Sequence, residues 1–283
     1  MDYYKPLKCK RGFVYSVDNV RLKFSVNRST YDLLCSYFCN PLRYDVKHFE
    51  STRDFHYHDL FTVRLSPEVS FSLGLSLNGF NNEQMSICFV DFNPNKVCSF
   101  LQFWDDLQFL KSLIPLFSIV RVDIAVDIPI PRDRVFLRKD NRLYSLKQYS
   151  NSNKTEYLGI RNTVGRVKLY NKQIESSLNY PLTRVEVTID SLDSWIKSVP
   201  SLYILEDKQQ TISSLNDTDF VLLTLLNDKF VSDSSEAIML FNMLGRKKRE
   251  KLAPLILCKD SSVDFDYYLV RDLLDIVKID FMR

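Results

Sequence analysis

The sequence predicts an α+β fold: an antiparallel-rich sheet with helices packed on it, plus a small helical C-terminal region. Three observations carry this reading. Period-two alternation of apolar and polar residues recurs through the first 190 residues. Helical spacing is interposed between only some of these segments. Past about residue 200, alternation gives way to helix-start signals.

The elements follow in order. Val20, Leu22, Phe24 and Val26 alternate with Arg21, Lys23 and Ser25, a half-buried strand entered through a turn at Asp18-Asn19. Ser29 or Thr30 caps a short helix ending near Asn40-Pro41. Alternation returns over 70–77, with Phe71, Leu73, Leu75 and Leu77 on one face, and again over 86–92. Val97, Leu101, Trp104, Leu107 and Ile114 keep helical spacing until Pro115 stops it. A strand over 118–128 follows, then a polar stretch over 131–153, strands near 155–160 and 165–170, a short helix around 172–178 and a strand over 183–190. Asn216 opens a helix through Leu226, Ser232-Asp233 opens another, and 265–277 is amphipathic. The expected division is 1–200, a sheet-bearing domain, and 201–283, a helical accessory region.

The 283 residues are 45% hydrophobic and 26% charged, the balance of a protein with a full core. Formal charge is only +3, yet residues 1–200 hold 27 Lys/Arg against 21 Asp/Glu while the rest hold 11 against 14, so a polyanion should prefer the first part. No apolar h-region opens the chain and no apolar run approaches spanning length, so a soluble, cytoplasmic protein without a membrane partner is expected. Six cysteines, at 9, 35, 39, 88, 98 and 258, are scattered as reduced core residues; Cys35 and Cys39 lack the second pair that a zinc site needs.

The most informative pattern is a polar strand face that occurs three times. In Arg121-Val-Asp-Ile-Ala-Val-Asp127, Arg121, Asp123 and Asp127 share one face and Val122, Ile124 and Val126 the other. Arg184, Glu186, Thr188 and Asp190 repeat the order over 184–190, and Arg166, Lys168, Tyr170 and Lys172 form a third face. Such faces are often the solvated side of antiparallel strands. If the strands are neighbours, Asp123 and Glu186 meet, with Tyr170 within reach, and carboxylates so close call for a cation. Hard oxygen ligands suit Mg²⁺ or Mn²⁺. A phenol with an ordinary pKa of about 10 becomes a nucleophile only with help from a metal and nearby lysines.

Together with Thr155-Glu-Tyr-Leu-Gly-Ile-Arg-Asn, Gly165 to Glu175 and Leu182 to Ile189, the aspartate strand 121–127 resembles rolling-circle replication initiators of the Rep_trans type, found on Gram-positive plasmids and related filamentous phages. Asp91-Phe-Asn-Pro-Asn-Lys96 is similar to a phrase of the phage branch, and the resemblance covers about residues 85–190. It implies a relaxase-like fold, distantly related to the histidine–hydrophobe–histidine nucleases, that nicks and rejoins origin DNA, single-stranded or cruciform, through a 5′-phosphotyrosine. On matching positions Tyr170 is the nucleophile. Asp123 and Glu186 are the first metal ligands and Asp127 a further one. Lys168 and Lys172 tune the tyrosine, and Arg166, Arg184 and Arg121 hold DNA. A homodimer and a recruited host helicase are implied partners.

Two decoys and two other function classes stay open. His56-Tyr-His58 has metal-ligand spacing but polar flanks, and Tyr144-Ser-Leu-Lys147, with Tyr149 close by, copies a tyrosine helix of the related nucleases from within a polar stretch. Arg246-Lys-Lys-Arg-Glu-Lys251 either binds duplex phosphate or is a solvated helix end. A DNA-binding copy-control protein on the same scaffold would hold DNA without metal or cleavage. A structural protein with charged outer strands would show no salt-sensitive affinity for single strands.

Overall fold

A computed structural model describes residues 7–8, 12–40, 45–50, 58–76, 85–149, 153–204, 215–232, 234–256 and 265–282. The chain forms two compact units interleaved in sequence: Met1–Val126 with Glu186–Lys197 and Tyr267–Arg283, and Asp127–Val185 with Ser198–Asp266. Both are mixed helix and antiparallel sheet, the class expected. Their boundaries differ from a division at residue 200, because the last helix packs in the first unit.

In the first unit the elements are β1 (Leu7–Lys8), β2 (Val14–Val26), α1 (Arg28–Phe38), β3 (Asp45–Glu50), β4 (Asp59–Ser66), β5 (Val69–Leu75), β6 (Ser86–Phe92), α2 (Pro94–Val97), α3 (Leu101–Leu113) and most of β7 (Ser118–Ile128). Strands run β3-β4-β5-β6-β2, with β7 next, and the first four pairings are antiparallel. Asp18-Asn19 is not a turn. It lies inside β2, where Asn19 Nδ2 donates to Asp91, Asn93 Nδ2 to Asp18 Oδ1 at 3.4 Å and Asn95 Nδ2 to Val17 O at 2.7 Å. Those bonds satisfy polar groups that would otherwise favour a turn. The cap of α1 is Asn27, two or three residues earlier than expected; its Oδ1 accepts from Thr30 N at 2.9 Å.

The core of this unit is aromatic. Phe38 of α1 meets Phe61 and Phe71 of the sheet, and Phe103 lies against Phe71 and Phe92. The C-terminal helix Tyr267–Met282 buries Val270, Leu273, Leu274, Val277 and Phe281, spaced on one face, and Phe281 stacks on Trp104 with centroids 5.7 Å apart. Cys88 and Cys98 are buried free thiols, and Cys35 and Cys39 are also unbridged.

The second unit holds a 3-10 turn (Arg132–Arg134), β8 (Val135–Leu137), β9 (Tyr144–Gln148), β10 (Lys154–Leu158), β11 (Val167–Asn171), α4 (Lys172–Glu175), the start of β12 (Thr183–Ile189) and β13 (Leu202–Ile204). β9, β10 and β11 pair antiparallel in that order, and β13 pairs β8. The described part of the stretch 131–153 therefore holds a 3-10 turn and two strands, β8 and β9, rather than a polar connector alone. Its polarity misleads because β9 is mostly exposed and because its anchor is a buried ion pair, Arg132 Nη2 to Glu156 Oε1 at 2.6 Å. Helices Asp217–Ser232, Ser234–Met243 and Arg246–Ile256 close on Leu223, Leu226 and Leu252. The basic burst opens the last of these rather than ending a helix. Asp219 takes Lys251 and Lys248, and Glu250 takes Arg246, which offsets cations at the wrong end of the dipole. Among the described residues no helix is long and apolar enough to cross a membrane.

Candidate active site

Asp123 sits in β7 with hydrophobic neighbours in sequence on the opposite face, and it is 8% exposed. Both of its oxygens are engaged: Arg121 Nε and Nη2 donate to Oδ1 and Oδ2 at 3.1 and 2.6 Å, and Thr188 Oγ1 donates to Oδ1 at 2.7 Å. Burial opposes the Arg121 charge, but Asp123, Asp91 and Glu186 outweigh it and raise its pKa. The first unit thus gathers Arg121, Asp123, Glu186 and Thr188, each on the polar face that alternation assigns to its strand. It adds Asp91 of β6, which is further bonded by Arg21 Nε at 2.6 Å. Asp91 was legible only as part of Asp91-Phe-Asn-Pro-Asn-Lys96; its place beside Arg121 needed the strand order.

Asp127, expected as a further ligand, and Arg184, expected on DNA, are joined instead in a bidentate pair, with Nε to Oδ1 at 2.6 Å and Nη2 to Oδ2 at 2.7 Å. A fork-shaped guanidinium and a carboxylate at 10% and 13% side-chain exposure satisfy each other here, and the pair ties β7 to β12 within the second unit. Like signs at matching strand positions concealed this: each strand carries one Arg and two carboxylates, and register decides which meet.

The tyrosine belongs to the second unit. Tyr170 is 5% exposed, with Val167 and Leu169 of its strand in the core. The Lys168 Nζ lies over its ring at 3.8 Å from the centroid and the Lys172 Nζ at 6.0 Å. Lys172 does not continue the strand. Asn171 caps α4 by accepting from Ile174 N at 2.9 Å, so Lys172 starts a helical turn and pairs with Glu175. Burial pushes the Glu175 carboxyl up, but Lys172, Lys168 and a hydrogen bond from Tyr170 bring it below its ordinary value. The strand is placed by the loop before it. Gly159 and Gly165 take φ of +86° and +87°, and a Cβ on Gly165 would stand 3.2 Å from Ser198 Oγ. Arg142 Nη1 donates to Gly165 O at 2.8 Å and Ser198 O at 2.7 Å. Arg166, just ahead of the strand, rests its guanidinium 4.8 Å from the Tyr157 centroid, and its buried Nε has no hydrogen-bond partner.

The decoys resolve differently. His56 lies outside the described residues; His58 is exposed and donates its backbone N–H to Leu75 O at 2.8 Å. The histidine that meets a carboxylate is His48, unmarked by any sequence motif: its Nε2 is 2.6 Å from Asp59 Oδ1, and Tyr31 donates to Asp59 Oδ2. Burial and Asp59 push the Tyr31 phenol well above its usual range, which suits a brace rather than a nucleophile. Tyr144 lies on β9, not a helix. Burial and Glu156, whose Oε2 accepts from its hydroxyl at 3.4 Å, push its phenol up as well.

Among the described residues no three of His, Cys, Asp and Glu gather as a ready metal cage. Asp123 and Glu186 still fit a hard divalent ion: both are oxygen donors from the polar faces of β7 and β12, and the spot already accommodates a guanidinium positive charge.

No model of a known protein family matches the chain. Two curated replication initiation proteins of Staphylococcus aureus do. One is 28% identical over 155 residues, 50% of this chain and 48% of that protein; the other is 27% identical over 182 residues, 59% and 53%. The chain spans about half the length of these relatives. A solved rolling circle replication initiator protein from Geobacillus stearothermophilus aligns over 76% of this chain and 84% of its own at 12% identity, with a TM-score of 0.38, below the level at which a shared fold follows. Over half or more of its length, the chain is similar in sequence to staphylococcal replication initiation proteins, in agreement with the resemblance carried by its strands.

Proposed function

We propose that this protein starts rolling-circle replication by cutting and rejoining one strand of origin DNA, single-stranded or cruciform, with Tyr170 as nucleophile. The observation that carries the reading is a division of labour. Two strands, β7 and β12, offer Asp123 and Glu186 around a positive charge, and another strand offers a phenol with Lys168 on its ring and Lys172 nearby. Asp123 and Glu186 would hold Mg²⁺ or Mn²⁺, which polarises the scissile phosphate when bound. Thr188 fixes the Asp123 carboxylate, and Arg121 supplies positive charge beside it.

In the chemical step the Tyr170 oxygen loses its proton and bonds to phosphorus as the phosphorus–O3′ bond breaks. The leaving oxygen takes a proton to become a 3′ hydroxyl. Lys168 stabilises the phenolate, and Glu175 orients the phenol through the hydrogen bond it accepts. Because the phosphodiester energy is kept in the phosphotyrosine, the reverse attack reseals the strand. Asp127 and Arg184 act as a pair that fixes the strands, and Arg166 and Arg121 are the cations that would meet DNA. The 217–256 helices are an accessory DNA- or partner-binding region. A host helicase and a second copy are the expected partners, in the cytoplasm.

The test is a 3′-labelled origin oligonucleotide incubated with the protein and Mn²⁺ or Mg²⁺ and resolved on a denaturing gel. The wild type should shift the label into a protein band, and Tyr170→Phe should not. An adduct formed by the phenylalanine variant overturns the assignment. The burial of Tyr170 favours a second reading, a copy-control protein that binds origin DNA without cutting. It predicts binding unchanged by chelator and no adduct.

A further inference from the structure

The polar strand face of the first unit continues past the carboxylates onto β2, β6, β5 and β4. An open groove of about 540 Å³ lies there, lined among others by Arg21, Ser70, Ser72, Gly74, Phe89 and Lys96. Cross-strand register aligns its floor in two rows: Phe89, Gly74 and Leu60, then Arg21, Asp91 and Ser72. In the first row the neighbour of Phe89 on β5 is a glycine, so no side chain covers the ring from that strand. Phe89 is half-buried, and the Arg21 guanidinium stands 5.9 Å from its centroid. In the second row Ser72 is small, which leaves depth. Among the charged lining residues Arg21 and Lys96 stand with Asp91 and Glu68, and Asp91 is already bonded by Arg21 and Asn19, so Lys96 is a cation at hand for a phosphate. Asp91 also interacts with Arg121, so groove and carboxylates are parts of one strand face.

We propose that this groove seats an unpaired nucleotide of the strand being processed, its base stacked on Phe89 and its phosphate held by Lys96 with the Ser70 and Ser72 hydroxyls. The idea rests on the strand-cutting reading for its ligand, and it assigns a positioning role to residues that take no part in the cleavage chemistry. A planar ring beside a side-chain gap accepts any base face, whereas reading base edges would call for fixed amide pairs. Binding here would give affinity without sequence preference.

The experiment uses the full chain with fluorescein-labelled dT15 in chelator, followed by anisotropy. Phe89→Ala and Phe89→Leu should each weaken binding about 5- to 100-fold, and Phe89→Trp should restore it. Wild type should bind an abasic 15-mer more weakly than dT15, and Phe89→Leu should not distinguish the two. Lys96→Gln should lower the slope of log affinity against log salt by about 0.7. Phe89→Leu keeps an apolar side chain in β6, so unchanged melting separates a binding defect from misfolding. Wild-type affinity in a Phe89→Leu protein that melts normally overturns the groove assignment alone. An equal loss on a 15-base-pair duplex also overturns it. Failure of the wild type to bind any single strand sinks this proposal and the parent reading together. Loss of cleavage assignment to Tyr170, with Phe89-dependent binding intact, sinks the parent alone.

Discussion

The ion pair beneath the tyrosine strand yields a sharp stability prediction. Arg132 and Glu156 have side chains 0% and 1% exposed. Glu156 accepts from Arg132 Nη2 at 2.6 Å, Leu137 N at 3.0 Å and the Tyr144 hydroxyl at 3.4 Å, and it stands opposite Leu169 in the register that places Tyr170. Glu156→Gln keeps the size of the side chain but strands the guanidinium charge out of water, a loss of about 3–5 kcal/mol. Arg132→Met should cost the same for the opposite reason. The double variant Arg132→Met/Glu156→Leu removes both charges and leaves the Leu137 N–H, the Tyr144 hydroxyl and the carbonyls that Arg132 served, neutral groups worth about 1–3 kcal/mol. It should therefore be more stable than either single variant. Hydrogen exchange at the amides of 154–158 and 167–171 reads this locally, where a global transition of two units would blur it. Protection in Glu156→Gln within about 1 kcal/mol of wild type would refute the argument.

Other consequences are smaller. Asp123→Asn and Glu186→Gln should each abolish the rise in melting temperature produced by millimolar Mn²⁺, measured by calorimetry without DNA; a rise equal to wild type in both would remove them as ligands. Glu175 has its folded-state pKa below the ordinary 4.5, so its contribution is present above that value and lost as pH falls through the lowered pKa. Glu175→Gln should narrow the gap to wild type in urea unfolding between neutral pH and pH about 3, by no more than about 1 kcal/mol for an exposed pair. Gly165→Ala should cost about 1–2 kcal/mol through its positive φ and the Ser198 contact, with a fall in adduct yield. Unchanged stability there would mean that the loop reshapes freely.

The fold was readable where one face of an element is continuously apolar. Val122, Ile124 and Val126 and the 86–92 run place their strands nearly to the residue, and the apolar face of 265–277 announces the last helix. What failed to show was structure held by polar groups: β9, anchored through Glu156, and the Asp18-Asn19 segment, kept extended by side chains seventy residues away. For the site, alternation placed Asp123, Glu186 and Thr188 on a common face. It could not tell that Asp127 would be consumed by Arg184, since pairing depends on register between strands distant in sequence. Nor could it show that Lys172 leaves the strand, because Asn171 reads equally well as a strand residue and as a helix cap.

The most direct test isolates the protein–DNA adduct, digests both components and locates the nucleotide by mass spectrometry. The account predicts a single modified tryptic peptide containing Tyr170, formed only with divalent metal. A nucleotide on Tyr144 or Tyr149, or metal-independent linkage at any residue, would contradict it.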